Sequence, residues 1–164
     1  MPEHIIKKLQ FKLQPIALVL DAPPEIKTVI DYWKKIASID TEIDKKKKYP
    51  FALGFVKTES DVKKLGMAII KQLQDDAVFW LAYPKKSSKK YIATITRDTG
   101  WESLGALGFE GVSMVAIDDD WSAFRFRKAE HISAMTRRLG TAMSEKGKSK
   151  TVNKTNKAIK SPKG

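Results

Sequence analysis

The chain has 164 residues and a mass of 18.5 kDa, enough for one domain with a substantial core. It contains no cysteine, which excludes disulfides, thiolate catalysis and cysteine-ligated zinc or iron–sulfur sites. The formal net charge of +12 is uneven, because residues 127–164 hold 11 basic and 2 acidic residues whereas residues 1–126 hold 20 basic and 17 acidic residues. Most of the excess positive charge therefore lies in a C-terminal tail.

The N-terminal segment, MPEHIIKKLQ, lacks the apolar run of a secretory signal. No segment approaches the roughly 20 apolar residues of a membrane span. We therefore expect a cytoplasmic protein with no membrane partner, and a loosely held N-terminus around His4.

The first half of the chain alternates between strand and helix patterns. Residues 16–22 are a continuous apolar run that predicts a strand buried on both faces. Residues 24–36 carry apolar side chains at helical spacing. A short strand over 37–43 leads into four lysines at 45–48, which we interpret as a solvated loop. A further buried strand is predicted over 51–56.

The second half continues this alternation. The segment Thr58-Glu-Ser-Asp61 can cap a helix through a hydroxyl or carboxylate oxygen. A buried strand follows over 77–83. The apolar spacing over 87–108 favours helix, and two strands over 112–117 and 122–127 end the pattern.

Three consecutive aspartates, Asp118 to Asp120, lie between the last two strands, where they can belong to a metal site, an acid–base centre or a turn. Strands joined by so few residues must be antiparallel, because parallel neighbours need a long crossover. Aspartate favours turns since its side chain bonds nearby backbone N–H groups, and no spaced pattern of calcium ligands surrounds these three. The turn interpretation is favoured, and no metal site is predicted.

Together these elements predict an α/β fold, a Rossmann-like mostly parallel sheet with helices on both faces and a C-terminal antiparallel β-hairpin. The domain is assigned to residues 1–127. Residues 128–140 are predicted to form an amphipathic helix. Residues 141–164 alternate lysines with small polar residues, a composition that predicts a disordered basic tail.

Short motifs occur along the predicted domain: Tyr83-Pro-Lys85, Thr96-Arg-Asp98 followed by Gly100-Trp101, Leu107-Gly108, and the segment 118–127 with its Trp-Ser-Ala-Phe-Arg-Phe-Arg core. Together they resemble a family of small bacterial proteins catalogued as a domain of unknown function. The likeness spans about residues 10–127, and the hairpin segment is its most specific part. Such a family has no assigned activity, so the resemblance supplies no catalytic residues.

The order of elements also resembles the second half of the methyltransferase-type Rossmann fold. That likeness implies S-adenosylmethionine bound at a glycine-rich turn after the first strand. Here the turn is Asp21-Ala-Pro-Pro24, which has no glycine and whose prolines lack N–H donors. No Gly-x-Gly-x-x-Gly occurs either, so no cofactor is predicted. A degenerate enzyme that binds S-adenosylmethionine or a nucleotide is the alternative hypothesis.

No catalytic residue is predicted. No serine lies in a Gly-x-Ser-x-Gly elbow, and His4 and His131 are interpreted as exposed and incidental. Trp101 and Trp121 either stack on nucleic-acid bases or pack in the core, and packing is favoured. Arg97 and Asp98 either form an ion pair in which Asp98 caps a helix that starts near Trp101, or face the cleft, and the capping interpretation is favoured.

The best candidate for a small-ligand site follows the third buried strand, because ligands of open α/β sheets bind at the carboxyl ends of strands. Lysines, hydroxyls and a following helix N-terminus can hold an anion such as phosphate there. The anion-binding candidates are Lys85, Lys86, Ser87, Ser88 and Arg97. The alternative is a solvated basic loop, and a crevice filled by Trp101 or Tyr91 would favour an inert scaffold.

The evenly spaced lysines of the tail can neutralise nucleic-acid phosphates and release counterions, which gives affinity without sequence specificity. The nucleic-acid-binding candidates are Lys146, Lys148, Lys150, Lys154, Lys157 and Lys160. We therefore predict a binding domain rather than an enzyme, whose tail, helped by the Lys85–Lys90 loop, contacts nucleic acid or another polyanion. The alternatives are a solvated tail without a partner and a hairpin edge that pairs with a protein partner or with a second copy.

Overall fold

The computed structural model describes residues 2–132, which form a six-stranded sheet with helices on both sides. Its elements in chain order are α1 (Pro2–Lys8), β1 (Ile16–Leu20), a 3-10 turn (Pro24–Ile26), α2 (Lys27–Lys34), β2 (Ser38–Asp40), β3 (Tyr49–Phe55), α3 (Glu59–Ile70), β4 (Leu73–Pro84), α4 (Glu102–Gly105), β5 (Phe109–Ala116), β6 (Trp121–Lys128) and a second 3-10 turn (Ala129–His131).

The strand order in the sheet is β2-β1-β3-β4-β6-β5. The first four strands in that order run parallel, and β6 is antiparallel to both of its neighbours, β4 and β5. The chain moves from β1 toward one edge and then returns through β3 toward the other, so the order reverses between β1 and β3. The predicted Rossmann-like α/β fold with its C-terminal antiparallel hairpin is confirmed.

Each face of the sheet packs against its own helices. On one face, the ring of Trp33 in α2 meets Phe11 and Phe51 edge-on, with centroids 5.2 and 5.3 Å apart. On the other face, Trp101 packs beside Phe126 at 5.2 Å. All four tryptophans are 3% exposed or less, and such rings contribute strongly to burial energy. The core interpretation of the tryptophans is confirmed.

The start of α3 follows the sequence prediction. The Thr58 hydroxyl accepts the N–H of Asp61 at 3.0 Å, and the Asp61 carboxylate accepts the N–H of Thr58 at 3.2 Å. This reciprocal pair satisfies two donors that the first turn of a helix leaves free. From this cap, α3 runs back along the sheet toward the amino end of β4.

The expectation of a loosely held N-terminus is wrong. Residues 2–8 form α1, whose Ile6 is buried, as is Leu9 just beyond it. The indole N–H of Trp80 in β4 donates to the carbonyl of Leu9 at 2.8 Å. A helix this short is marginal by itself, so its order comes from packing against the sheet rather than from propensity.

The helix predicted over 87–108 is also wrong for most of its length, because only residues 102–105 are helical. Residues 85–101 form an irregular segment, which we call the β4 loop. Ile95 is 3% exposed whereas Ile92 is 89% exposed, so the apolar spacing does not mark one buried face. Near the end of this loop Gly100 has a φ of 103°, which L side chains rarely adopt.

The predicted helix over 128–140 and the predicted tail over 141–164 lie almost wholly outside the described residues, as do the candidates Lys146 to Lys160. Within the described part, β6 continues to Lys128 and a 3-10 turn follows at Ala129–His131. No helix within residues 2–132 has the length and apolar character needed to cross a bilayer.

Candidate functional site

The candidate site is the crevice outside the carboxyl ends of β1, β3 and β4, beside the point where the strand order reverses. Ligands of open α/β sheets bind at this position. Three connections meet there: residues 21–23 after β1, residues 56–58 after β3, and the β4 loop. The start of β6 lies there too, since Trp121 pairs with Pro84.

Three side chains meet at this crevice, and we call them the crevice cluster: Glu25 from the 3-10 turn that follows residues 21–23, Tyr91 from the β4 loop and Trp121 from the start of β6. The Tyr91 hydroxyl donates to Glu25 Oε1 at 2.8 Å, and the indole N–H of Trp121 donates to Glu25 Oε2 at 3.2 Å. The rings of Tyr91 and Trp121 lie 5.0 Å apart. Phe55, the last residue of β3, meets the Trp121 ring edge-on at 5.1 Å. The chain's own side chains thus bridge the mouth of the crevice.

The β4 loop is held in place over this cluster by hydrogen bonds to its neighbours. The Ser88 hydroxyl donates to Asp120 Oδ1 at 2.8 Å and accepts the N–H of Tyr91 at 3.1 Å. The N–H of Thr94 donates to the carbonyl of Lys57 at 3.0 Å. The Lys57 ammonium lies 4.7 Å from the centre of the Tyr91 ring, within the range of a cation–π contact. The loop therefore acts as a fixed cover.

The turn after β1 is poorly suited to holding a phosphate. Pro23 and Pro24 have no N–H to donate, and Pro24 begins a 3-10 turn. Asp21 adopts a φ of 59°, which places the sharp bend on a residue with a charged side chain rather than on a glycine. This turn therefore offers fewer backbone N–H donors to a phosphate than a glycine-rich turn would.

The three aspartates form the hairpin turn, which confirms that interpretation. Asp118 Oδ1 accepts the backbone N–H groups of Asp120 and Trp121, both at 2.8 Å. Across residues 2–132, no group of three or more histidine, aspartate or glutamate side chains has an arrangement that could hold a metal ion.

The predicted anion site is not assembled around an open cradle. Ser88 gives its hydroxyl to the carboxylate of Asp120, and the N–H of Lys85 donates to the Asp120 carbonyl at 2.8 Å. No helix begins in the following residues, so the helix N-terminus that the prediction required is missing. The side chains of Lys86, Ser87 and Arg97 are exposed. These five candidates stay a prediction.

Two smaller interpretations need correction. Asp98 does not cap α4, whose first turn follows Trp101 without a side-chain cap, and the N–H of Asp98 instead donates to the Thr96 hydroxyl at 3.2 Å. His4 is exposed as expected, whereas His131 has its Nε2 3.0 Å from Asp75 Oδ1 and is partly covered.

Electrostatics favour the ionised form of Glu25. Burial by itself raises the pKa of the Glu25 carboxyl, but four other effects outweigh it. These are hydrogen bonds from its own backbone N–H, from Tyr91 and from Trp121, together with the charge of Lys90. The pKa of Glu25 therefore lies below its ordinary value of 4.5.

This shift predicts a pH-dependent contribution to stability. A folded pKa below the unfolded value adds stability above the unfolded pKa, and that stability is lost as the pH falls through the folded pKa. We expect Glu25→Gln to be less stable than the wild type at about pH 6, with the gap narrowing as the pH falls below about 4.5. Urea unfolding across this range measures the gap. The same substitution at exposed Glu42 is the control, and a gap at Glu25 that does not change with pH would contradict the prediction.

Comparisons with known proteins show no family. No family model and no curated protein matches the sequence, so the resemblance to a bacterial family of unknown function stays a prediction. Among solved structures, the crystal structure of the glycopeptide N-methyltransferase MtfA is similar to this chain with a TM-score of 0.47 and 6% sequence identity. That similarity covers 77% of this chain and 94% of the other. It carries no argument about activity, and the fold assignment rests on the strand order given above.

Proposed function

We propose that this protein is a non-catalytic α/β binding domain whose lysine-rich tail contacts nucleic acid or another polyanion without sequence specificity. The observation that carries the proposal is the crevice cluster. Where this fold type binds small ligands, Glu25 is already engaged by Tyr91 and Trp121 at hydrogen-bond distance. What the chain offers to a partner is therefore its charged surface.

The lysines of the described part support this proposal. Among those of residues 2–132, only Lys27, Lys47 and Lys128 lie within 4 Å of a carboxylate. The remaining ammonium groups there are not neutralised by an ion pair within this part of the chain. Uncompensated surface lysines attract polyanions and release counterions from them on contact.

The last described residues before the tail are held by two contacts at the amino end of β4. Arg127 donates two hydrogen bonds to the Asp76 carboxylate, at 2.8 and 2.7 Å, and His131 meets Asp75. The Lys85–Lys90 loop follows the other end of β4, roughly 30 Å away at about 3.3 Å per residue. The last described residues and that loop therefore lie at opposite ends of β4, and we assign the contact with a polyanion to the tail.

Salt dependence of binding tests the proposal. We replace the six tail lysines, Lys146, Lys148, Lys150, Lys154, Lys157 and Lys160, by glutamine in the full chain. Binding to a random-sequence duplex is followed by fluorescence anisotropy between about 50 and 200 mM salt. The plot of log K against the logarithm of the salt concentration has a negative slope, and each lost phosphate contact makes it shallower by about 0.9. For the six-lysine variant we therefore expect a slope that is shallower by about 5 units. An unchanged slope, or no binding by the wild type at the lowest salt, contradicts the proposal.

A further inference from the structure

The four lysines at 45–48 form a loop whose backbone is held by side chains that follow α3. Gln72 Nε2 donates to the carbonyls of Lys45 and Lys47 at 3.0 and 2.8 Å. Gln74 Nε2 donates to the carbonyl of Lys48 at 3.2 Å. A lysine loop that served only for solubility would not need hydrogen bonds to its backbone carbonyls. A loop that is already ordered before binding loses less conformational entropy when a partner binds.

The same loop is joined to the end of α3. The Lys48 ammonium donates to the carbonyl of Lys71 at 2.6 Å, where a cation satisfies a free carbonyl and complements the helix dipole. The exposed side of α3 holds a shallow groove of about 520 Å³ with no carboxylate in its lining. Its lining residues are Ser60, Lys63, Lys64, Met67, Ala68 and Lys71. The acidic residues of α3, Glu59 and Asp61, are confined to its first turn.

Five exposed lysines thus share one surface, which we call the lysine platform: Lys45, Lys46, Lys63, Lys64 and Lys71. Within residues 2–132, none of their ammonium groups has a carboxylate within 4 Å. We propose that the lysine platform is a docking site for the phosphodiester backbone of double-stranded nucleic acid. This inference rests on the proposed function and adds a fixed surface of the folded domain to the tail.

The dimensions and composition of the platform fit a duplex backbone. From Lys63 to Lys71 the helix rises roughly 12 Å, which matches the axial rise of three to four phosphates of one strand at about 3.4 Å each. Proteins that hold single strands stack bases on exposed aromatic rings, and the large exposed apolar side chains of residues 2–132 include no aromatic ring. Protein interfaces depend on buried aromatic and arginine anchors, which the platform also lacks.

His131, near the end of the described residues, lies at the same end of the sheet as the lysine loop. Gln72, which holds that loop, lies three residues before Asp75, the partner of His131. One duplex can therefore contact the platform and the tail together. Once one of them is bound, the effective concentration of duplex phosphates at the other is raised.

A charge-matched pair of full-length variants tests the inference. The platform variant replaces Lys46, Lys63, Lys64 and Lys71 by glutamine. The control variant replaces four exposed lysines near α1 and α2, on the other face of the sheet: Lys7, Lys12, Lys34 and Lys35. Both lower the net charge by the same amount, and circular dichroism confirms that both are folded. For duplex binding, the slope of log K against log salt should become shallower by about 3 to 4 units in the platform variant and by less than about 1 unit in the control.

The outcomes separate the two proposals. Equal slopes for the platform variant and its control overturn the platform, while a loss in the six-lysine tail variant alone leaves the proposed function standing. No duplex binding by the wild type overturns both.

A competition experiment identifies the ligand of the platform. Polyglutamate or single-stranded DNA is added to the wild-type complex with duplex at equal charge concentration. If either competitor displaces the duplex, the platform is a general anion surface and the assignment to duplex is wrong.

Discussion

Replacing Trp121 by alanine is expected to lower the free energy of unfolding by about 3 to 5 kcal/mol, the range for removing a large buried aromatic side chain. The indole is 1% exposed and contacts the rings of Tyr91 and Phe55. Its loss opens a cavity in the crevice cluster and removes the N–H that donates to Glu25. Urea unfolding monitored by circular dichroism measures the change.

Trp121→Phe is the matched control for this effect. It keeps an aromatic ring in the cluster and removes the indole N–H, so the expected loss is about 1 to 2 kcal/mol, with Tyr91 still bound to Glu25. If the alanine variant loses no more than the phenylalanine variant, ring packing does not hold the crevice closed.

Gly100→Ala should lower the free energy of unfolding by about 2 to 4 kcal/mol, because strain and crowding act together. A Cβ at this position would lie 2.2 Å from Ile95 Cγ2, far closer than van der Waals contact allows, and the φ of 103° disfavours any L side chain. Ile95 is the buried side chain of the β4 loop itself, so the clash must displace either this side chain or the backbone around Gly100. Urea unfolding again gives the magnitude.

Gly108→Ala separates the two causes. Gly108 also has a positive φ, of 89°, but a Cβ there would meet no atom within 4 Å. It therefore reports backbone strain alone, with an expected loss of about 1 to 2 kcal/mol. Similar losses at the two glycines would show that crowding against Ile95 adds nothing to the cost of the Gly100 substitution.

The fold could be predicted because its signals are local. The apolar run from Ile16 predicts a buried strand, and Thr58 marks the start of α3. The short link between β5 and β6 forces them to be antiparallel. Each of these inferences depends on residues within one element or its immediate neighbours, where periodicity and capping chemistry determine the structure.

The crevice cluster could not be predicted in the same way. Glu25 lies 66 residues from Tyr91 and 96 from Trp121, and nothing in the sequence near Glu25 indicates either partner. The error over 87–108 has the same origin, because the β4 loop owes its path to contacts with Lys57 and Asp120 rather than to its own helical spacing. Long-range hydrogen bonds determined this part of the structure.

The lysine loop shows what sequence composition leaves out. Four consecutive lysines are typical of a solvated loop, and the fixed backbone at 45–48 depends on Gln72 and Gln74, more than twenty residues later. The hydrogen bonds of these two glutamines hold the backbone of this loop in a defined position, which the local sequence does not indicate.

Isothermal titration calorimetry of the full chain with S-adenosylmethionine, NAD and ATP tests the closed crevice most directly. High salt removes nucleotides that are held only by surface lysines, so heat that persists there reports the crevice itself. With Tyr91 and Trp121 bound to Glu25, we expect no saturable heat from any of the three at high salt. Saturable one-to-one binding that persists at high salt would contradict the closed crevice and favour an enzyme.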